Sequence, residues 1–159
     1  MIAADNLLEQ AAGRTGPWIE AAAEDYNFDA RQEIRLANDR LVSIFAPSRG
    51  GQMVELDVRA ICHNLLAAIT RQPEAYHRKV LAGASRDNGQ CASIHERVVF
   101  KQADLDRRLH YDDHPRKALV DLFYDGDATL EDVAACRARQ HGDFAAGGYE
   151  ARIRRNPDR

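Results

Sequence analysis

The stretch that decides the fold is "QEIRLANDRLVSIFAPSRGGQMVELDV", residues 32–58. Apolar and polar residues alternate in it, with Ile34 and Leu36 forming the first apolar stripe, and the alternation restarts after two turn-like segments. Asn38-Asp39 suits a two-residue hairpin, and the longer second link ends in two glycines. A period of two is typical of half-buried strands, and short links favour antiparallel pairing. The stretch therefore predicts three strands of an antiparallel meander.

The residues before this stretch predict a helix and a fourth strand. "WIEAAAED", which begins at Trp18, is the strand, and "IAADNLLEQAA", residues 2–12, has helical spacing with Gly13 at its C-cap position. A single three-turn helix is marginal alone in water, so it needs a surface to pack on. We interpret residues 1–13 as the last helix of a preceding helical segment and residues 14–159 as the N-terminal part of a β-sandwich domain.

The residues after the meander predict short elements. They are a short helix "PEAYHRKVLA" with Pro73 in its first turn, a strand "HERVVFKQ", a helix "TLEDVAACRARQ" with Thr129 as N-cap, and a last strand "YEARIRR" from Tyr149. The predicted fold class is mainly β with short helices, an α+β arrangement. It forms the first part of a β-sandwich, preceded by one helix.

Composition excludes several classes of protein. With 45% hydrophobic and 30% charged residues, the 159-residue chain is typical of a globular protein. Its net charge of -3 gives no basic surface for nucleic acid. The first residues, "MIAADNLLEQ", do not have the basic-then-apolar pattern of a signal peptide, and no apolar run approaches the roughly 20 residues of a membrane helix. The three cysteines form no CxxC pair, so we expect a cytoplasmic protein that binds neither nucleic acid nor membrane.

One loop resembles a cation site, but the residue pattern favours a solvated turn. Oxygen-bearing side chains occupy its positions one, three, five and nine: Asp25, Asn27, Asp29 and Glu33. Position six is Ala30, where the sharp turn wants glycine, and position twelve is Leu36, where a calcium loop needs glutamate. The sequence predicts no metal here.

A second metal candidate is "HYDDH", in which His110 and His114 are four residues apart. On a helix they would share a face, but Pro115 pushes His114 towards an extended conformation. A hydrogen-bonded loop is therefore favoured over a metal site. No nucleophile motif and no phosphate-binding loop are present. We predict no catalytic residue and no cofactor.

The most informative polar cluster follows the meander and consists of Arg71, Glu74, Tyr76 and His77. These side chains combine a forked donor, an acceptor, an amphipathic ring and a titratable imidazole. Such groups bind hydroxylated ligands or join two domains, and the residues alone leave both open. We expect Arg71 and Glu74 to form a partly buried ion pair.

Several segments, taken in order, carry a resemblance to a known family. They are "IAADNLL" (2–8), "FAPSRGGQMVELDVRAICHNLLAAITRQPEAYHRKV" (45–80), "SIHERVVFKQADLDRRLHYDDHPRKALVDLF" (93–123) and "HGDFAAGGYE" (141–150). They resemble the last helix and the opening part of the C-terminal domain in glycoside hydrolase family 57 enzymes of the 4-α-glucanotransferase and α-amylase type.

The resemblance implies a catalytic barrel, a helical segment and a mutarotase-like β-sandwich. The catalytic glutamate and aspartate lie on the barrel and have no counterpart here. The implied partners are therefore the missing barrel domain and an α-glucan, with Arg71, Glu74, Tyr76 and His77 at the interface or the glucan cleft. The alternatives are a free-standing carbohydrate-binding or interaction module and a small metal-dependent enzyme built on His110 and His114.

Overall fold

Four strands of the computed structural model follow the predicted meander, and a fifth short strand extends it. The structure describes residues 1–86 and 105–156, without the side chains of residues 83–86. The regular elements are α1 Ile2–Ala11, β1 Ile19–Glu24, β2 Glu33–Asn38, β3 Leu41–Ala46, β4 Gln52–Val58, β5 His63–Asn64, α2 His77–Arg86 and α3 Leu130–Ala134. Two 3-10 turns lie at Arg59–Ile61 and Asp106–Arg108.

The strands form one antiparallel sheet in the order β1-β2-β3-β4-β5. Every neighbour in the sheet is the next strand along the chain, as short connections dictate. In the first hairpin of the opening stretch, the Asn38 side-chain oxygen accepts the backbone N–H groups of Arg40 and Leu41. The predicted fold class, mainly antiparallel β with short helices, is confirmed.

On β2 the buried face is not the one that carries the apolar stripe. The core cluster consists of Ala37, Val42 and Ile44. On β2 the buried residues are Glu33 and Ala37. The Ile34 and Leu36 stripe therefore lies on the other, partly exposed face. Because side chains alternate along a strand, burying Glu33 and Ala37 turns Ile34 and Leu36 away.

Two helices differ from the sequence prediction at their ends, and the strand predicted from Tyr149 is not formed in residues 149–156. Helix α2 begins at His77 instead of Pro73, after a turn. Helix α3 has the predicted N-cap, where the Thr129 hydroxyl accepts the Asp132 N–H at 3.1 Å, but it ends at Ala134. The predicted strand from Tyr149 is wrong, because residues 149–156 make isolated hydrogen bonds, such as Tyr149 N–H to the Pro47 carbonyl, and no ladder. The predicted "HERVVFKQ" strand lies outside the described residues.

The chain divides into two compact units. The first contains Met1–Ile69, His114–Asp127 and Arg139–Arg159, and the second contains Thr70–Asp113 and Ala128–Ala138. The first unit holds α1 and the whole sheet, and the second holds α2 and α3. Among the described residues, no helix has the length and apolar character needed to cross a bilayer.

The double glycine before β4 allows a close approach of two backbone segments within the first unit. Gly50 has a φ of +69°, and a Cβ built there would lie 2.5 Å from the Ala145 carbonyl oxygen. The Gly50 N–H donates to the Gly147 carbonyl at 2.7 Å. No other residue type fits at Gly50 without moving the backbone.

Candidate functional site

The predicted polar residues lie together in the second unit, in a group that we call the Arg71 cluster. Its members are Arg71, Glu74, Tyr76, His77, Tyr111 and Asp112. The first four are those that the sequence singled out, whereas Tyr111 and Asp112 join them from the segment before His114. The extended residues before α2, the start of α2 and the residues 111–112 position them.

Arg71 and Asp112 are joined through both side chain and backbone. Arg71 Nε donates to Asp112 Oδ1 at 2.9 Å, and the Arg71 N–H donates to Oδ2 at 2.7 Å. The Asp112 N–H donates back to the Arg71 carbonyl at 2.9 Å. The hydrogen bond to Asp112, whose side chain is 7% exposed, raises the pKa of Arg71 above its ordinary value. The predicted Arg71–Glu74 pair is therefore wrong: the partner is Asp112.

His77 is buried, and its Nδ1 faces two donors. The backbone N–H of Glu74 donates to Nδ1 at 3.1 Å, and the Tyr111 hydroxyl lies 3.1 Å from the same atom. Because Nδ1 accepts the Glu74 N–H, the geometry assigns the imidazole proton to Nε2 and makes the Tyr111 hydroxyl a second donor. The imidazole is thereby fixed in orientation.

Tyr76 and Glu74 form the exposed edge of the Arg71 cluster. The Tyr76 ring meets the His77 ring edge-on with centroids 4.3 Å apart, and 56% of Tyr76 remains exposed. Glu74 is exposed. The cluster thus presents an aromatic ring and a carboxylate on a rigid hydrogen-bonded base, which suits a polyhydroxylated ligand or a polar protein surface.

A second polar group, in the first unit, attaches α1 to the sheet. We call it the charged layer; its members are Asp5, Asn6, Glu9, Arg14, Glu20, Arg35 and Arg59. Arg59, 6% exposed, donates from Nε to the Asn38 carbonyl at 2.9 Å and from Nη1 to Asn6 Oδ1 at 2.8 Å. Its Nη1 also lies 2.7 Å from Asp5 Oδ2. The guanidinium therefore connects α1 with the end of β2.

The charged layer leaves the two leucines of α1 exposed. Leu7 is 65% and Leu8 is 69% exposed, and α1 has no buried residue. The helix was predicted to need a surface to pack on, and the surface it uses within this chain is polar. Sequence reasoning missed this role of Arg35 and Arg59, although Asp5 and Glu9, four apart on one face of α1, were a usable signal.

Three ionisable side chains of the first unit have shifted pKa values: Tyr26 in the loop between β1 and β2, and Glu55 and Asp57 on β4. Burial first, then the charge of Glu55, raises the pKa of Tyr26 to about 12; its hydroxyl donates to Glu55 Oε2 at 3.2 Å. Burial also raises the pKa of Glu55 and of Asp57 above their ordinary values. Burial and neighbouring carboxylates explain these pKa shifts, so the shifts alone do not indicate a catalytic site.

The two metal candidates have opposite outcomes. In the part of the chain that the structure describes, the one group of metal-ligating side chains brought together is Asp25, Asp29 and Glu33. Neither His110 nor His114 belongs to such a group. The loop that the sequence assigned to a solvated turn is thus the one that gathers oxygen ligands.

Comparison with known proteins decides the family. Residues 25–158 match the family described as "Alpha-amylase/4-alpha-glucanotransferase, C-terminal". The chain belongs to this family. It is 31% identical over 147 residues to a 4-alpha-glucanotransferase of Thermococcus kodakarensis, with 91% of the chain and 22% of that protein covered. It is 28% identical over 159 residues to Alpha-amylase 1 of Dictyoglomus thermophilum, with 100% and 22% covered.

A solved structure carries the same fold as this family member. The crystal structure of 4-alpha-glucanotransferase from Thermococcus litoralis matches with a TM-score of 0.72 and 26% identity. The match covers 98% of the chain and 21% of the crystallised one. The chain therefore spans about a fifth of the length of the relatives it resembles. The resemblance read from the sequence is confirmed.

Proposed function

We propose that this chain is the non-catalytic β-sandwich segment of an α-glucan-acting enzyme, a 4-α-glucanotransferase or an α-amylase, and that it packs against a catalytic barrel outside this sequence. Membership of the C-terminal family supports the class of enzyme. The α-glucan substrate is inferred from the names of the relatives, 4-alpha-glucanotransferase and Alpha-amylase 1. Cys62 and Cys136 are free, in keeping with a reducing cytoplasm as the site of action.

The observation that carries the proposal is the orientation of α1. Its charged and amide side chains contact Arg35 of β2 and Arg59 directly after β4, while Leu7 and Leu8 are exposed. Soluble chains bury such leucines when they can, since each buried side chain contributes roughly 1.5–3 kcal/mol. The arrangement supplies an apolar surface for the remaining four-fifths of an enzyme of the relatives' length.

A chimaera tests the proposal. This chain replaces the matched fifth of the Thermococcus kodakarensis 4-alpha-glucanotransferase, and the purified product is assayed for glucan transfer and thermal unfolding. The chimaera is expected to turn over maltooligosaccharides, whereas the 159-residue chain alone is not. Replacing Leu7 and Leu8 by Glu is expected to lower the melting temperature of the chimaera; the matched control Leu130→Glu, at a leucine that is 85% exposed, is not.

Two results would contradict it. One is glucan turnover by the purified chain that a substitution of its own residues abolishes. The other is a chimaera whose melting temperature and activity are the same with leucine or glutamate at Leu7 and Leu8.

A second candidate function, glucan binding by the chain itself, is favoured by the exposed ring of Tyr76. Sugars stack on aromatic faces, and the acceptor Glu74 is two residues away. In a pull-down on insoluble starch, binding that Tyr76→Ala removes and Tyr76→Phe keeps would support it. If neither substitution changes the retained fraction, stacking on Tyr76 does not contribute to glucan binding.

A further inference from the structure

We propose that the loop between β1 and β2 binds a divalent cation, calcium in preference to magnesium, through the carboxylates of Asp25, Asp29 and Glu33. One carboxylate oxygen from each of the three lies within 4.8 Å of the other two. Oxygen ligands stand 2.3–2.6 Å from a bound calcium ion, so two ligands of one ion are separated by about 5 Å or less. The three side chains therefore already have the separation of a common ligand set.

Glu33 provides independent support. It is 1% exposed, the most deeply buried acidic side chain of the described residues. Its Oε2 accepts the Tyr26 N–H at 3.1 Å, but its buried Oε1 has no hydrogen-bond partner. No ion pair joins Glu33 to a cationic side chain within the described ranges. Buried carboxylates are usually paired or coordinate a metal, so Oε1 is the atom with which a bound cation would pair.

The charge around the loop leads to the same conclusion. The Arg49 guanidinium pairs with Asp29 at 2.7 Å. Three carboxylates and one guanidinium leave two formal negative charges, which a divalent cation balances. Carboxylate oxygens are hard ligands that suit calcium and magnesium better than zinc or copper. A loop that supplies several protein oxygens suits calcium, because magnesium usually keeps most of its waters.

The structure removes one of the sequence objections to this site. Ala30 stands at position six of the loop, where the pattern calls for glycine, and it has a φ of +65°. The chain therefore makes the sharp turn without glycine. Asp25 stabilises it by accepting the N–H groups of Asp29 and Ala30, each at 3.0 Å. Position twelve has no glutamate, and in this site Glu33, at position nine, supplies the buried carboxylate in its place.

The test is calorimetric titration of the EDTA-treated 159-residue chain with calcium chloride and with magnesium chloride, accompanied by thermal unfolding at each concentration. One calcium ion is expected to bind with a dissociation constant between about 10⁻⁶ and 10⁻³ M, tighter than magnesium, and to raise the melting temperature. Glu33→Gln keeps the shape and removes the charge, and it is expected to weaken calcium binding at least about tenfold.

The matched control is Asp39→Asn, which removes one carboxylate from the turn between β2 and β3 and is expected to leave calcium affinity within about twofold. Asp29→Asn is a second test at the site if the Glu33 variant does not fold. The proposal is overturned if calcium up to about 10 mM gives neither heat nor a higher melting temperature. It is also overturned if the parent chain, both site variants and the control bind equally, since binding would then reflect general surface charge.

Discussion

Replacing Arg59 by methionine tests whether the charged layer holds α1 in place. Methionine keeps an unbranched apolar stem and removes the guanidinium. The change deletes the hydrogen bonds to the Asn38 carbonyl and to Asn6, together with the ion pair to Asp5. The Arg59 side chain is only 6% exposed, so water does not readily replace these bonds.

The expected cost follows from these bonds. A hydrogen bond from a charged donor contributes roughly 1.5–3 kcal/mol, and two are lost. The Asp5 pair adds little, because Asp5 is 39% exposed and such a pair contributes about 0–1 kcal/mol. Partial relaxation of α1 offsets some of the loss, so we expect the free energy of unfolding to fall by about 3 kcal/mol.

Urea unfolding measures this change. With an m-value of about 2 kcal/mol per molar, the midpoint is expected to fall by about 1.5 M. Amide hydrogen exchange is expected to show faster exchange of α1 than in the parent chain. The matched control is Arg40→Met, because Arg40 is 86% exposed and only approaches Asp39 at 3.7 Å. Its effect is expected to stay within about 0.5 kcal/mol.

The reasoning is refuted if Arg59→Met and Arg40→Met have the same midpoint. A double-mutant cycle between Arg59→Met and Asn6→Ala localises the effect, since residues in one hydrogen-bond network couple by about 0.5–3 kcal/mol. A coupling of zero would mean that Arg59 stabilises the strands without holding α1.

Three further predictions concern the sheet and its approach to residues 144–147. Gly50→Ala is expected to lower the free energy of unfolding by about 2–4 kcal/mol and Gly16→Ala by about 1–2 kcal/mol, measured by chemical unfolding. Both glycines have a positive φ, but only at Gly50 does the new Cβ meet a carbonyl oxygen. Equal losses would contradict this reasoning. The pKa of Tyr26 is raised to about 12 in the folded state, so its contribution to the free energy of unfolding is present below about pH 10 and is lost as the pH rises towards 12. Tyr26→Phe is expected to remove this part of the pH dependence, so the plot of unfolding free energy against pH becomes flatter between about pH 10 and 12. The pKa of Glu55 is also raised in the folded state, so its ionisation above the ordinary value of 4.5 lowers the free energy of unfolding. The free energy of unfolding of Glu55→Gln minus that of the parent chain is therefore expected to be larger at pH 7 than at pH 3. The same difference at both pH values would contradict the shift.

The sequence predicted the strands well because their information is local. Alternation and turn residues between positions 18 and 58 specify four strands whose neighbours in the sheet are neighbours in the chain. Which face of β2 is buried could not be predicted from neighbouring residues in the sequence. Glu33 and Ala37 are the buried residues of β2, with Ala37 opposite Val42, whereas the apolar alternation pointed to Ile34 and Leu36. Only the surroundings of Glu33 show why a carboxylate can occupy that face.

The candidate site also contains a part that the sequence predicted and a part that it did not. Arg71, Tyr76 and His77 were found because they are close in sequence. The partner of Arg71 lies 41 residues further along, and the second donor to His77 lies 34 residues away. Many acidic residues could have paired with Arg71, and Glu74 was chosen for proximity in the chain. A pairing that is made by tertiary folding cannot be read from local spacing.

The way α1 is attached also bears on why its leucines stay exposed. If apolar packing held α1 on the sheet, Leu7 and Leu8 would be used within the first unit and could not contact anything else. Arg59 instead attaches the helix through its hydrogen bonds to Asn6 and the Asn38 carbonyl and its ion pair with Asp5, which do not use the apolar side chains of α1. In the proposed function, the same helix is fixed to the sheet through one face and packs on the catalytic domain through the other. This division between the two faces of α1 is what a segment joining a sheet to a larger enzyme requires.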